Sequence, residues 1–304
     1  MAKTDIAVLF ALGAAMFIAI GNVIHQRSAH DVTDAPVGQF ELFSRLLRDT
    51  RWWLGSLVAA VGFALQAAAL GVGSVLLVQA LLVTALLFAL PINARLTHRR
   101  VTRWEWTWAV LLACSVAVII MVGNPTANHS RASLETWAGV AVVLGPILAL
   151  CLLGARIWSG SEAAVLLAVV SGALWGLFAV LTKGMVDLLG NGIWAVVRAP
   201  ELYAWALVAV AGTAFQQSSF RAGPLTASLP TMTVTEPVVA AVLGMVVLGE
   251  SVRPGDAGAF ILVAAVGVMV LATTALARGQ AIAVQVAGPL GKAATGPQRE
   301  PLGR

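Results

Sequence analysis

Residues 225–248 read LTASLPTMTVTEPVVAAVLGMVVL. These 24 residues hold a single charge, Glu236, near their midpoint. At about 1.5 Å per residue, a helix of this length crosses roughly 30 Å of hydrocarbon. A carboxylate at that depth costs several kcal/mol, so it marks a functional site by default. The remaining Asp and Glu residues lie in tails, in loops or near the ends of apolar runs.

Similar apolar stretches recur outward from this one. The chain is 59% hydrophobic and 11% charged, with a mean hydropathy of +0.89. A soluble domain of 304 residues could not keep its surface polar on so few charges. The composition therefore implies an all-α, polytopic membrane helical bundle. About nine spans are expected, at roughly 5–25, 52–71, 74–94, 104–122, 135–154, 161–181, 202–220, 225–248 and 256–276. The first apolar run, Ile6 to Val23, is long for a secretory leader and is read as a membrane helix. Val37 to Leu47 is too short and too charged to span and suits the interface. Residues 184–200 form a second long connection, re-entrant or interfacial. The membrane domain is taken as 1–277, and the Gly-, Ala- and Gln-rich tail 278–304 reads as disordered and cytoplasmic.

Charge placement orients the chain. With the N-terminus outside, cytoplasmic segments hold 14 of the 19 Lys and Arg residues. That bias suits a multi-pass protein of a bacterial-type cytoplasmic (inner) membrane with its C-terminus in the cytoplasm. The net charge of +5 belongs to these flanks and implies no nucleic-acid partner.

The two halves resemble each other. A shift of 150 residues aligns Leu57, Val58, Ala59, Gly62, Ala64 and Gln66 with Leu207, Val208, Ala209, Gly212, Ala214 and Gln216. Gly73 then meets Gly223, and Ala7-Val8-Leu9 matches Ala164-Val165-Leu166. Repeat one is placed at about 5–122, a linking span at 135–154 and repeat two at about 161–276. Five crossings separate the copies, so the second is inverted, an arrangement of secondary transporters with the substrate site near the midplane.

The segment 230–250, ending in Leu248-Gly249-Glu250, resembles the proline-centred helix of the drug/metabolite transporter superfamily (EamA-like). The nine-span layout, with Trp52-Trp53-Leu54-Gly55 opening span two, is similar to the branch containing NIPA-type magnesium transporters. The first half departs from the pattern, having Thr97-His98-Arg99-Arg100 where a Leu-Gly-Glu would fall. The resemblance implies a transporter fold and small-solute movement by alternating access.

Several residues suit such a site. Glu236 can exchange a proton or hold a cation. Pro230 and Pro237 each remove a backbone donor, which predicts a helix break in the second copy and freed carbonyls beside Glu236. Thr233 shares the Glu236 face at helical spacing. Gln66, Gln79, Gln216 and Gln217 could line a cavity or bond between helices. Trp175, deep in span six, could stack on a ligand. Gly172 and Gly176 form a GxxxG suited to helix packing. Lys183 and Glu250 fall at outer helix ends, where snorkelling charges are ordinary. Cys114 and Cys151 lie in separate apolar runs, show neither metal nor disulfide spacing and suit the core. No metal cluster, phosphate loop or nucleophile triad is legible, so neither a metal, a cofactor nor an enzyme is expected. The expected partners are a small solute or ion and the lipid bilayer, with a homodimer left open. Proton- or cation-coupled solute transport is the favoured function. A magnesium or other divalent-cation transporter and a non-catalytic lipid-handling protein are the alternatives.

The topology has a direct check. A fluorescent protein fused after Arg304 should fluoresce, and alkaline phosphatase fused there should stay inactive. The opposite pattern would reverse the orientation.

Overall fold

The computed structural model describes residues 3–32, 50–96, 100–123, 126, 131–223, 225–252 and 258–294. The described residues form eleven helices: α1 (Lys3–Val32), α2 (Thr50–Val72), α3 (Val75–Leu82), α4 (Ala85–Leu96), α5 (Arg103–Gly123), α6 (Leu134–Ile157), α7 (Ser161–Leu189), α8 (Ile193–Arg198), α9 (Pro200–Ala222), α10 (Leu225–Leu248) and α11 (Gly258–Ala294). Among the described residues, extended pairing is confined to an isolated bridge between Thr126 and Ser251.

Among the described residues, eight segments are long and apolar enough to cross a membrane. The expected segment 202–220 falls on α9, which is as long as its neighbours, but Gln216, Gln217, Ser218, Ser219 and Arg221 make its last turns polar. The stretch Val37 to Leu47 lies outside the described residues. Residues 184–200 do not form a span. Helix α7 continues to Leu189, a turn follows at Gly190–Gly192, and the short α8 exposes Ile193 and Trp194. The expectation of a disordered tail at 278–304 is corrected as far as Ala294, because α11 runs on to that residue, and 295–304 lie outside the described residues. Ala and Gln dominate 280–287 and favour helix, and the helix continues through Gly288 and Pro289.

Small residues set how closely the helices approach. Ala7, Ala11, Ala14, Ala15 and Ala19 recur at helical spacing on α1 and are fully or almost fully buried. Against them, a methyl built on Gly62 of α2 would stand 2.7 Å from Ile18 and 3.0 Å from its backbone nitrogen. Helices α7 and α9 meet in the same way, Gly212 facing Leu174 and Trp175 at 3.4–3.5 Å. In the turns, a methyl on Gly73 would lie 2.7 Å from Ala7, and one on Gly223 would lie 3.0 Å from Ala164. Helices α5 and α11 pack antiparallel, Gly123 lying by Leu262 and Gly279 by Glu105. Helix α6 rests on α7 and turns Val142, Leu150 and Leu153 outward, as lipid allows. Cys114, expected in the core, is exposed. The buried face of α5 is Leu112, Ser115 and Val116, and residue 114 points away from it.

Helices α7 and α10 also pack closely. A methyl on Gly172 would meet Thr235 at 2.9 Å and the Met232 carbonyl at 3.0 Å. On Gly176 it would meet the Glu236 carbonyl at 2.8 Å and the Ala240 nitrogen at 2.9 Å. Gly176→Ala should therefore cost about 1–3 kcal/mol through overpacking. Gly139→Ala, where nothing lies within 4 Å, should be neutral or slightly stabilising. Thermal unfolding of the two purified variants in detergent checks the contrast, and equal midpoints would refute it.

Candidate functional site

Glu236 is half-buried on α10, level with the Gly172–Gly176 contact. Its carboxylate has no hydrogen-bond or ion-pair partner among the described residues. None of Gln66, Gln79, Gln216 and Gln217 bonds to it.

The expected break at Pro230 and Pro237 is corrected. Helix α10 runs unbroken from Leu225 to Leu248 with both prolines inside. Its threonine hydroxyls bond back to carbonyls one turn earlier. Thr231 donates to the Ala227 carbonyl, Thr233 to that of Leu229 and Thr235 to that of Thr231, at 2.7–2.9 Å. Close packing on α7 adds lateral support. Thr233 thus spends its donor inside its own helix, also reaching the Pro230 carbonyl at 3.1 Å.

The interruption lies instead in the first half, between α3 and α4 at Val83-Thr84. There the Thr84 nitrogen and hydroxyl both donate to the Leu81 carbonyl, at 3.0 and 2.5 Å. The Leu87 nitrogen donates to the Thr84 carbonyl at 2.8 Å. Such i→i+3 bonds tighten the turn out of α-helical register. The break and Glu236 share a depth. Helices α3 and α10 are antiparallel neighbours, and a methyl on Gly244 would stand 3.5 Å from Val75. Eight residues from that contact along each helix are Val83 and Glu236, both about 12 Å in.

The other expected residues scatter. Gln79 is buried on α3, one turn short of the break, and its amide nitrogen has no partner. Gln66 is buried on α2, Gln216 is half-buried and Gln217 is exposed on α9. Trp175 reaches the depth of Glu236 but belongs to an aromatic cluster. It stacks on Phe63 with centroids 5.9 Å apart and meets Phe178 edge-on at 5.2 Å. Phe178 in turn stacks on Trp205, whose indole donates to Thr182 at 2.9 Å. The rings join α2, α7 and α9, and one face of Trp175 is already covered. Two hollows lie near the ends of the bundle, one beside Arg131 and Glu201, the other beside Trp158 and Glu162, and Glu236 lines neither.

Lys183 and Glu250 are not snorkelling charges. They form a buried pair at 2.7 Å, their side chains 7% and 0% exposed. Lys183 also donates to the Gly73 carbonyl at 3.0 Å. Glu250 accepts from the backbone nitrogens of Val75 and Leu76 at 2.7 and 3.0 Å. It thereby satisfies two of the donors that the first turn of α3 leaves free. Local sequence aims it. Gly249 adopts φ 62°, and the Glu250 nitrogen bonds back to the Gly244 carbonyl at 3.1 Å, the closing bond of a left-handed helix cap. Gly244 leaves the room, since a methyl there would stand 3.1 Å from the carboxylate.

Two further ties close the same end. Thr126 and Ser251 exchange backbone bonds at 3.0 and 3.4 Å, with their hydroxyls 3.0 Å apart. Arg131 pairs with Glu201. Partial burial works to raise the Glu201 carboxyl, and the Arg131 guanidinium with a backbone N–H more than offsets it, leaving its pKa below the ordinary value.

Fold and composition together define a helical membrane protein. The chain is 38% identical over 280 residues to a protein of Corynebacterium glutamicum described as "Uncharacterized protein Cgl0250/cg0304", covering 91% of this chain and 96% of that one. It belongs to the same family as that protein. No family model and no solved structure matches the chain.

Gly249→Ala should lower stability by about 1 kcal/mol or more, because alanine resists the left-handed conformation. Its unfolding midpoint in detergent, set against Gly267→Ala in open space, tests this. An unchanged midpoint would mean that the cap does not hold Glu250.

Proposed function

We propose that the protein is a secondary transporter of the drug/metabolite type, moving a small solute by alternating access with Glu236 as the proton- or cation-coupling group. The observation that carries this reading is Glu236 itself: a half-buried carboxylate at mid-helix, without a partner, level with an interrupted helix. A carboxylate that served only to join helices would have a donor within reach. Where a helix is interrupted at membrane depth, backbone carbonyls can turn toward a solute or ion.

Equivalent contacts in the two halves support the inverted-repeat part of the proposal. Gly62 packs on Ile18, and Gly212 packs on Trp175. Gly73 packs on Ala7, and Gly223 on Ala164. These pairs correspond under the same alignment that matches Ala7 to Ala164 and Gly73 to Gly223. In this reading α9 is the ninth span, its polar turns tolerated because they face the protein or a wet cavity. Localisation in a cytoplasmic membrane with the N-terminus outside completes the proposal.

Reconstitution tests it. Proteoliposomes loaded with a pH-sensitive dye and challenged with a panel of amino acids, organic cations and metabolites should show solute-dependent proton movement. Glu236→Gln should lose at least about a hundredfold in that flux, the scale of removing a required general acid or base. A Glu236→Gln protein that keeps both the flux and its pH dependence would overturn the assignment.

A further inference from the structure

The Glu250 carboxylate ties together parts of the chain that belong to different halves. Gly73, Val75 and Leu76 lie in the α2–α3 turn and the first turn of α3. Lys183 lies on α7, and Glu250 follows α10. All four protein contacts of the pair converge at one end of the bundle: Lys183 to Glu250 at 2.7 Å, Lys183 to the Gly73 carbonyl at 3.0 Å, and Glu250 to the Val75 and Leu76 nitrogens at 2.7 and 3.0 Å.

We infer that the Lys183–Glu250 pair is the gate that holds this end of the transport pathway closed. The inference rests on the transport reading above. If the halves move against each other, this end opens only when Lys183 or Glu250 leaves its partners. Each charge is then uncompensated unless water reaches it. Separation in a dry interior is therefore strongly disfavoured, and separation with water entry is the opening event itself. The pair is thus suited to two discrete positions, together and dry or apart and wet.

The arrangement differs from an ordinary structural cap in its reach. A cap normally comes from the residue beside the helix, and Ser74 already fills that role, its hydroxyl accepting from Leu77 at 3.1 Å. Glu250 reaches α3 from 175 residues away and adds a charge whose only charged partner among the described residues is Lys183 on a third helix. The device is also one-sided. Under the repeat alignment, Lys183 corresponds to Gln26 and Glu250 to Arg99, so the first half supplies no carboxylate for an equivalent gate at the other end. The two ends would then open with different energetics, and the end held by the pair would be the one favoured shut.

The gate is tested by access, not by flux. Ser74 is buried between the two residues that the pair grips, with 2% of its surface exposed. In full-length protein carrying Cys114→Ala and Cys151→Ala, Ser74→Cys provides a single reporter thiol. The protein is placed in lipid nanodiscs, open on both faces, and labelled with a bulky charged maleimide. Glu250→Gln and Lys183→Met should each speed labelling on the order of a hundredfold, the scale of breaking a buried pair. Lys183→Arg, which keeps the charge, should label near the reporter background rate. Folding of every variant is checked by its unfolding midpoint. Should the single variants fail to fold, the joint Lys183→Met, Glu250→Gln variant decides by its own rate, since it leaves no lone buried charge. Folded variants that label no faster would overturn the gate, and so would loss of folding in all three, which would mark a fixed structural clamp. Faster labelling without any solute flux would keep the opening device and overturn the transport reading. Unchanged labelling in a chain that transports would do the reverse.

Discussion

A carboxylate buried among backbone amides is stable only if everything around it stays in place, and Glu250 imposes that condition on three helices. Its oxygens take donors from Val75, Leu76 and Lys183, and Lys183 spends another donor on Gly73. While the pair stays dry no water replaces these partners, so in this state the positions of α3, α7 and the end of α10 are mutually fixed. Two glycines make this achievable. Gly249 supplies the left-handed turn that sends the chain back toward α3, and Gly244 clears the space that the carboxylate enters. The same register then sets the depth of everything further in. Counting from the Val75–Gly244 contact brings the Val83-Thr84 interruption level with Glu236.

The second constraint is the glycine pair on α7. Helices in lipid gain little from burying apolar surface against each other, so close packing and van der Waals contact carry the association. Gly172 and Gly176 bring the α10 backbone against α7 on both sides of Glu236. That contact supports α10, which stays continuous through two prolines, and fixes the level at which its carboxylate sits. Stiffness and depth thus come from one interface. The interruption expected at the prolines lies across the site, in a helix whose break holds neither glycine nor proline.

Class, span positions and close-packing glycines were legible because each rests on short-range pattern. Apolar length is read residue by residue, and the Gly172–Gly176 spacing fits one helical face. The Lys183–Glu250 pair was not legible in that way. Its members are 67 residues apart, and charges at helix ends ordinarily reach water. A weaker signal was present: a glycine directly after the last apolar residue of α10 turns the next side chain back along the helix. The break was misplaced for a related reason. Proline marks a missing donor, but whether a helix breaks depends on what surrounds it, and α7 packs closely on α10. At Val83-Thr84 a threonine hydroxyl competes for the Leu81 carbonyl, and nothing in the composition of that stretch announces it. The span at 202–220 is the intermediate case: its helix is present, and its polar turns leave it short of the other eight in apolarity.

Two carboxylates on and just beyond one helix therefore have opposite environments. Glu250 is saturated with donors and dry, whereas Glu236 is half-buried and unpartnered. A charge that is fully satisfied resists displacement, and a charge that lacks partners gains from acquiring one. Placed about fourteen residues apart, roughly 21 Å along α10 and its cap, they suit the two tasks of the proposed alternating access. In that proposal one would resist opening, and the other would be free to bind. Since Gly172 and Gly176 couple α10 to α7, and α7 carries Lys183, a shift of α10 at the depth of Glu236 has a continuous packed route to the pair at the end. That route is short, and each contact along it is with backbone or a buried charge, where small displacements are least tolerated.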